Sequence, residues 1–142
     1  MVAIEISNEL LTSYHNTHYV VFCDQGNICL QPEAVSHDGT RLLKANGVRV
    51  ASYITAYNPL SRQRTIAENT DRNSALANQL KRLRFRSLPG EGRDIKGLWP
   101  VEPSFLVLGM DEAIGHRWAR QFEQYAFLIV EIDQPVKLVI TQ

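Results

Sequence analysis

Hydrophobic residues recur at different periods along the chain, and these periods predict where strands and helices lie. Runs of apolar, β-branched and aromatic residues predict strands at "THYVVFC", "NICLQ", "VRVASYITAYN", "FLVLGM", "YAFLIVEI" and "VKLVIT". The segment "RFRSLP" could form a further short strand. Helical spacing of apolar residues predicts helices at about residues 5–15, 66–84 and 112–124.

Two stretches interrupt these patterns and are predicted to be irregular. The first, "PEAVSHDGTRLLKANG", is polar and is expected to hold at most one short helical turn. The second, "GEGRDIKGLWPVEPS", contains three glycines and two prolines and is predicted to be a loop.

The order of these elements predicts the fold class. The 142 residues are close to the commonest size of one domain, and 44% of them are hydrophobic. We therefore expect a single globular α+β domain over residues 1–142. Its core should be a mixed, largely antiparallel sheet of about five to six strands with two to three helices packed on it.

The helix predicted at residues 66–84 places two amides on the face that its leucines mark as buried. This stripe, at alternating spacings of three and four residues, consists of Ile66, Asn69, Asn73, Leu76, Leu80 and Leu83. Thr65 and Glu68 form a capping-box pattern at the helix start. Because an unpaired buried amide costs about 1–3 kcal/mol, Asn69 and Asn73 should both have partners.

Two interpretations supply those partners. In the first, Asn69 and Asn73 hold the backbone of the preceding loop, "TAYNPLSRQR". In the second, they line a pocket for a polar ligand together with the loop residues Asn58, Ser61 and Thr65. The two interpretations are compatible, since a loop that carries a site is usually held rigid.

A second group of polar residues lies in "GEGRDIKGLWPVEPS". Glu91, Asp94 and Glu102 are candidate catalytic acids or bases, because carboxylates serve as proton donors and acceptors. Arg93 could bind an anionic group, and Ser104 could contact a polar ligand. The alternative is that these charges are solvated or pair with one another, as charges in loops commonly do.

The overall charge and the distribution of basic residues indicate whether nucleic acid is an expected partner. Fifteen basic and fifteen acidic residues give zero net charge, which argues against nucleic acid. A basic cluster is still present at Arg62, Arg64, Lys81, Arg82, Arg84 and Arg86. Several of these residues lie near a helix C-terminus, where cations suit the helix dipole.

Membrane, metal and cofactor signals are weak. No apolar run approaches the roughly 20 residues of a membrane helix, and the N-terminus does not resemble a signal peptide, so we expect a cytoplasmic protein without a membrane partner. Cys23 and Cys29 are expected to be free thiols. Neither metal-ligand spacing nor a phosphate-binding loop is present, so we predict no metal site and leave the cofactor unknown.

Five segments, in this order, resemble a bacterial family known as domain of unknown function 3293. They are "YHNTHY" at 14–19, "TAYNPLS" at 55–61, "ENTDRN" at 68–73, "LPGEGRD" at 88–94 and "WPVEPSFLVLG" at 99–109. The similarity extends over about residues 12–132. It implies a small, stand-alone, soluble bacterial protein and brings no activity, cofactor or catalytic residue.

Three classes of function follow from these observations. The first is binding of a small polar ligand, with hydrolase or transferase activity on a nucleotide-like substrate, in a pocket formed by the TAYNPLS/ENTDRN and GEGRD/EPS motifs. The second is a protein-interaction or regulatory module that uses an exposed apolar surface. The third is nucleic-acid binding through the basic cluster.

Overall fold

The computed structural model describes residues 6–141, which form four α-helices and seven strands. The helices are α1 (Asn8–His15), α2 (His37–Ala45), α3 (Ile66–Arg82) and α4 (Glu112–Gln121). The strands are β1 (Thr17–Val21), β2 (Ile28–Leu30), β3 (Val50–Ile54), β4 (Ser87–Asp94), β5 (Glu102–Leu108), β6 (Ala126–Glu131) and β7 (Lys137–Ile140). The prediction of a single α+β domain is confirmed.

All seven strands belong to one sheet with the order β2-β1-β4-β5-β3-β6-β7, and every neighbouring pair in it is antiparallel. The sheet is curled. Two isolated bridges, Pro32 to Val136 and Val35 to Pro135, join the segment after β2 to the segment before β7. They link the two edges of the sheet.

Side chains of the sheet alternate between two hydrophobic clusters, one on each face. On the first face, Val107 and Ile129 pack with Leu76 and Leu80 of α3 and with Trp118 of α4. On the second face, a separate cluster includes Tyr53, Leu106, Leu128 and Val130 from the strands and Leu43 from α2. We call these the α3/α4 face and the α2 face.

Capping residues in the sequence correctly predict where α3 and α4 begin. The Thr65 hydroxyl accepts a hydrogen bond from the Glu68 amide at the start of α3, as the capping-box pattern predicts. Asp111 caps α4 by accepting from the Ile114 amide. Both helices end two or three residues earlier than predicted, within the usual uncertainty of helix ends.

The protein has more strands and helices than predicted, and both stretches predicted to be irregular contain regular structure. Residues 37–45 form α2, which Ser36 caps by accepting from the Gly39 amide. Residues 90–94 continue β4, because they pair with β1 on one side and β5 on the other. Pairing on both sides outweighs the low strand propensity of two glycines.

The predicted buried stripe of α3 is correct only in its middle. Asn69, Asn73, Leu76 and Leu80 are buried, whereas Ile66 is 81% and Leu83 61% exposed. At 3.6 residues per turn the stripe drifts, so its first and last members lie about 100° apart around the helix axis. They therefore fall at the two margins of the stripe and reach solvent.

Candidate functional site

The loop between β3 and α3 has a backbone conformation that most residues avoid. Asn58, Leu60 and Ser61 have φ angles of 47°, 55° and 55°, in the left-handed region that favours glycine. Each such residue costs on the order of 1–3 kcal/mol unless its surroundings hold it in place. The loop must therefore be fixed by strong contacts.

Asn69 and Asn73 supply many of those contacts. The Asn69 Oδ1 accepts from the Asn58 backbone N–H at 2.8 Å, and its Nδ2 donates to the Asn58 Oδ1 at 2.8 Å. The Asn73 Oδ1 accepts from the Ala56 N–H at 3.2 Å. Both buried asparagines thus bind the loop, as the first interpretation of the sequence requires.

Arg72 is a further anchor that the sequence reasoning missed. Its Nε donates to the Ala56 carbonyl at 3.0 Å, and its Nη2 donates to the Phe122 carbonyl at 2.8 Å. Gln124 donates from Nε2 to the Tyr57 carbonyl at 2.9 Å. The loop is therefore tied to both α3 and the end of α4.

We expect Asn69→Ala to destabilise the protein by about 2 kcal/mol, because it leaves the partly buried Asn58 N–H without its partner. Urea denaturation measures the loss, and hydrogen exchange at the Asn58 amide should accelerate. Asn78→Ala is the matched control, since Asn78 lies exposed on the same helix. Equal stability of the two variants would contradict the anchoring role.

The fixed loop directs the Asn58 side chain toward Glu102 at the start of β5. Asn58 Nδ2 donates to Glu102 Oε1 at 2.8 Å. Burial raises the pKa of the Glu102 carboxyl above its ordinary value, and the hydrogen bond from Asn58 offsets only part of that rise. Among residues 6–141, no other group donates a hydrogen bond to this carboxyl. Because no fully buried side-chain oxygen there lacks a partner, Oε2 must be accessible to solvent.

The Tyr14 hydroxyl lies near enough to this carboxyl to be affected by its charge. The Tyr14 hydroxyl is 3.4 Å from the Ser61 Oγ, and the Tyr19 hydroxyl holds α1 in position by donating to the Tyr14 carbonyl at 2.7 Å. Burial raises the pKa of Tyr14, and the negative charge of Glu102 adds to that rise. Tyr14 was not predicted as a site residue, although the "YHNTHY" motif contains it.

Ser104 lies on the same sheet face as Glu102, two residues further along β5. It is buried, and its hydroxyl donates to the Glu102 backbone carbonyl at 2.9 Å. Its contact supports the strand start that carries Glu102. The curled sheet thus gathers Tyr14, Asn58, Ser61, Glu102 and Ser104 at one end; we call this group the Glu102 site.

Glu91 and Arg93 do not join the Glu102 site. In the ladder, Glu91 lies opposite Pro103 and Gly92 lies opposite Glu102, so the Glu91 and Glu102 side chains point to opposite faces of the sheet. Arg93 Nε donates to Glu91 Oε2 at 2.8 Å. Asp94 accepts from the Lys96 and Leu98 amides and holds the β4–β5 turn.

Two concavities lie elsewhere on the molecule. A groove of about 610 Å³ runs between α1 and β7 and is lined by Leu11, His15 and Leu138, among others. A pocket of about 240 Å³ lies between α3 and β5, and Asn73 lines it. Glu102 lines neither of them.

Other features bear on partners and cofactors. Within residues 6–141, no group of three His, Cys, Asp or Glu side chains could hold a metal ion. None of the helices in that part of the chain combines the length and apolar character that crossing a membrane needs. The β4–β5 loop exposes the apolar side chains of Ile95, Leu98, Trp99 and Val101.

The fold and the site define an α+β protein with a curled antiparallel sheet and a partly buried carboxyl, that of Glu102, at the sheet end. A family model described as a protein of unknown function (DUF3293) matches residues 54–127, slightly more than half of the chain. The chain belongs to this family. The match includes Asn58, the two buried asparagines of α3 and Glu102, and it excludes Tyr14.

Neither the search of curated proteins nor the search of solved structures gave a match for this chain.

Proposed function

We propose that the protein binds a small polar ligand at the Glu102 site and that Glu102 is its acid–base group. The proposal rests on the burial, the pKa and the hydrogen bonding of the Glu102 carboxyl. Glu102 is partly buried, its pKa is raised, and one of its oxygens has no protein partner in the described part of the chain. Groups in this state are common in functional sites.

The geometry favours a ligand that donates a hydrogen bond. Glu102 Oε2 can accept from a hydroxyl or amine of the ligand, and the Ser61 and Tyr14 hydroxyls can either donate or accept. The adjacent loop also carries Arg62 and Arg64, both exposed, which suit a phosphate group. A nucleotide-like ligand combines hydroxyl groups with a phosphate and fits these side chains.

The same arrangement suits hydrolase or transferase chemistry. A carboxyl with a raised pKa can take a proton from a water molecule or from a ligand hydroxyl and return it to a leaving group. Asn58 would keep the carboxyl oriented during both transfers through its hydrogen bond to Oε1. Ser61, which is exposed, would contact the reacting group.

Ligand-observed NMR with a panel of nucleosides, nucleoside monophosphates, amino acids and simple sugars tests the proposal. We expect at least one compound to bind the wild-type protein. Glu102→Gln should weaken that binding about 10- to 100-fold, because a hydrogen bond to a charged group contributes about 1.5–3 kcal/mol.

Glu91→Gln is the matched control, since it makes the same chemical change on the opposite face of the same hairpin. It should leave binding unchanged. The proposal fails if both variants bind every compound as the wild type does, or if no compound in the panel binds at all.

A further inference from the structure

A shallow pocket on the α3/α4 face is a second candidate binding site, separate from the Glu102 site. It has a volume of about 240 Å³. Its walls include Tyr57, Thr70, Asn73, Ser74, Pro103 and Phe105. Pro103 and Phe105 alternate along β5 with Glu102 and Ser104, so this pocket and the Glu102 site lie on opposite faces of the strand.

The buried amide of Asn73 lines the pocket, and its nitrogen has no protein acceptor among residues 6–141. Asn73 is only 8% exposed, and its Oδ1 accepts from the Ala56 N–H. That bond fixes the orientation of the amide, because only the oxygen can accept from an N–H. Within residues 6–141 the Asn73 Nδ2 has no acceptor, yet no fully buried side-chain nitrogen or oxygen there lacks a partner. The Nδ2 group therefore lies at the pocket surface.

The remaining lining determines the chemistry of a ligand. None of the side chains that line the pocket is charged, which disfavours an ionic ligand. Phe105, Pro103 and Tyr57 provide flat apolar surfaces against which a planar group can stack. The volume is below the roughly 300–1,000 Å³ of sites for drug-sized ligands, so it suits a single ring or amide.

We propose that this pocket binds an uncharged planar group that carries a carbonyl, with the Asn73 Nδ2 donating to the carbonyl oxygen. A heterocyclic base and a peptide-like amide both have this chemistry. The binding does not depend on Glu102, because the two sites lie on opposite faces of β5. Asn73 thus has two functions: its oxygen fixes the loop, and its nitrogen binds the ligand.

Titration of isotope-labelled protein with uracil and, separately, with N-methylacetamide tests this proposal by NMR. We expect uracil to shift the side-chain NH₂ resonances of Asn73 downfield and to perturb the Ser74 and Phe105 amides. A matching response to N-methylacetamide identifies the ligand as an amide, whereas a response to uracil alone identifies it as a ring. If neither probe shifts the Asn73 NH₂ resonances, the proposal is wrong.

Asn73→Asp removes the donor and keeps an oxygen that can accept from the Ala56 N–H. It should weaken binding of the responding probe at least tenfold, whereas Asn78→Asp, which adds the same charge at an exposed position of α3, should not. If Asn73→Asp fails to fold, Phe105→Leu replaces it and should weaken uracil binding severalfold. Unchanged binding in the folded variant overturns the proposal, and unchanged binding in Glu102→Gln shows that the two sites are separate.

Discussion

Gly90→Ala should destabilise the protein by about 3 kcal/mol or more, the largest loss that we expect from any single methyl group. A Cβ atom at Gly90 would overlap the backbone carbonyl oxygen of Val20 on β1 and would lie 3.2 Å from the Tyr53 hydroxyl. The Val20 carbonyl also accepts the hydrogen bond of Tyr53 at 3.0 Å. Relieving the overlap would therefore move β1 away from β4 and break a buried hydrogen bond.

Gly92→Ala is the control, two residues along the same strand and on the same face. The nearest atom to its added Cβ is the Thr17 Cγ2 at 3.4 Å, an ordinary contact. Its stability should stay within about 0.5–1 kcal/mol of the wild type, the usual difference between glycine and alanine in a strand. Urea denaturation of both variants gives the comparison, and similar midpoints would show that β1 and β4 do not approach closely at Gly90.

Gly90 and Gly92 show why the second half of β4 was not predicted to be a strand. Glycine-rich composition is typical of loops, and "GEGRD" contains no apolar side chain that would mark a strand. Its strand conformation depends on pairing with β1 and β5, which are distant in sequence. By contrast, the starts of α3 and α4 were predictable because Thr65 and Asp111 act on amides three residues away.

The candidate site was predictable to a similar extent. The inward direction of Asn69 and Asn73 follows from helical periodicity, a local property. The separation of Glu91 from Glu102 follows from strand register, in which a shift of one residue exchanges the two faces. The sequence suggested that these carboxylates could act together, but only the pairing of Gly92 with Glu102 shows which carboxylate faces Asn58.

The position of α1 next to the Glu102 site also depends on the tertiary structure of the whole domain. Tyr14 precedes Ser61 by 47 residues, and the contact between them depends on the curl of the sheet and on the Tyr19 hydroxyl. No spacing rule connects residues that far apart. The family-like motif "YHNTHY" contains Tyr14, but the chemical meaning of this residue becomes clear only from the hydrogen bonds.

Glu102→Gln should raise the free energy of unfolding at pH 7, by about 0.5–2 kcal/mol, as single stabilising substitutions commonly do. Burial disfavours the charged carboxylate and raises its pKa in the folded state above the ordinary value of 4.5. Glutamine has no charge to bury, and its Oε1 can still accept from the Asn58 Nδ2. The gain corresponds to a rise of a few degrees in Tm for a domain of this size.

The stability difference between the wild type and Glu102→Gln should depend on pH, because only the wild type has a carboxyl that titrates at this position. Well below pH 4.5 the carboxyl is protonated in both folded and unfolded chains, so wild type and variant should differ least there. As the pH rises through the folded-state pKa, the unfolded wild-type chain holds fewer protons than the folded one, and the wild type loses stability relative to Glu102→Gln. Thermal unfolding from pH 4 to pH 8 measures the difference.

Glu91→Gln again provides the control, because a partly exposed ion pair such as Glu91–Arg93 contributes little to stability. It should change the free energy of unfolding by less than about 1 kcal/mol at every pH. A Glu102→Gln variant less stable than wild type at pH 7 would mean that the charged carboxylate stabilises the fold. A Glu102→Gln variant that is more stable but no longer binds the ligand would show that the carboxylate is kept for binding although it destabilises the fold. Such a trade-off between stability and activity is common in functional sites.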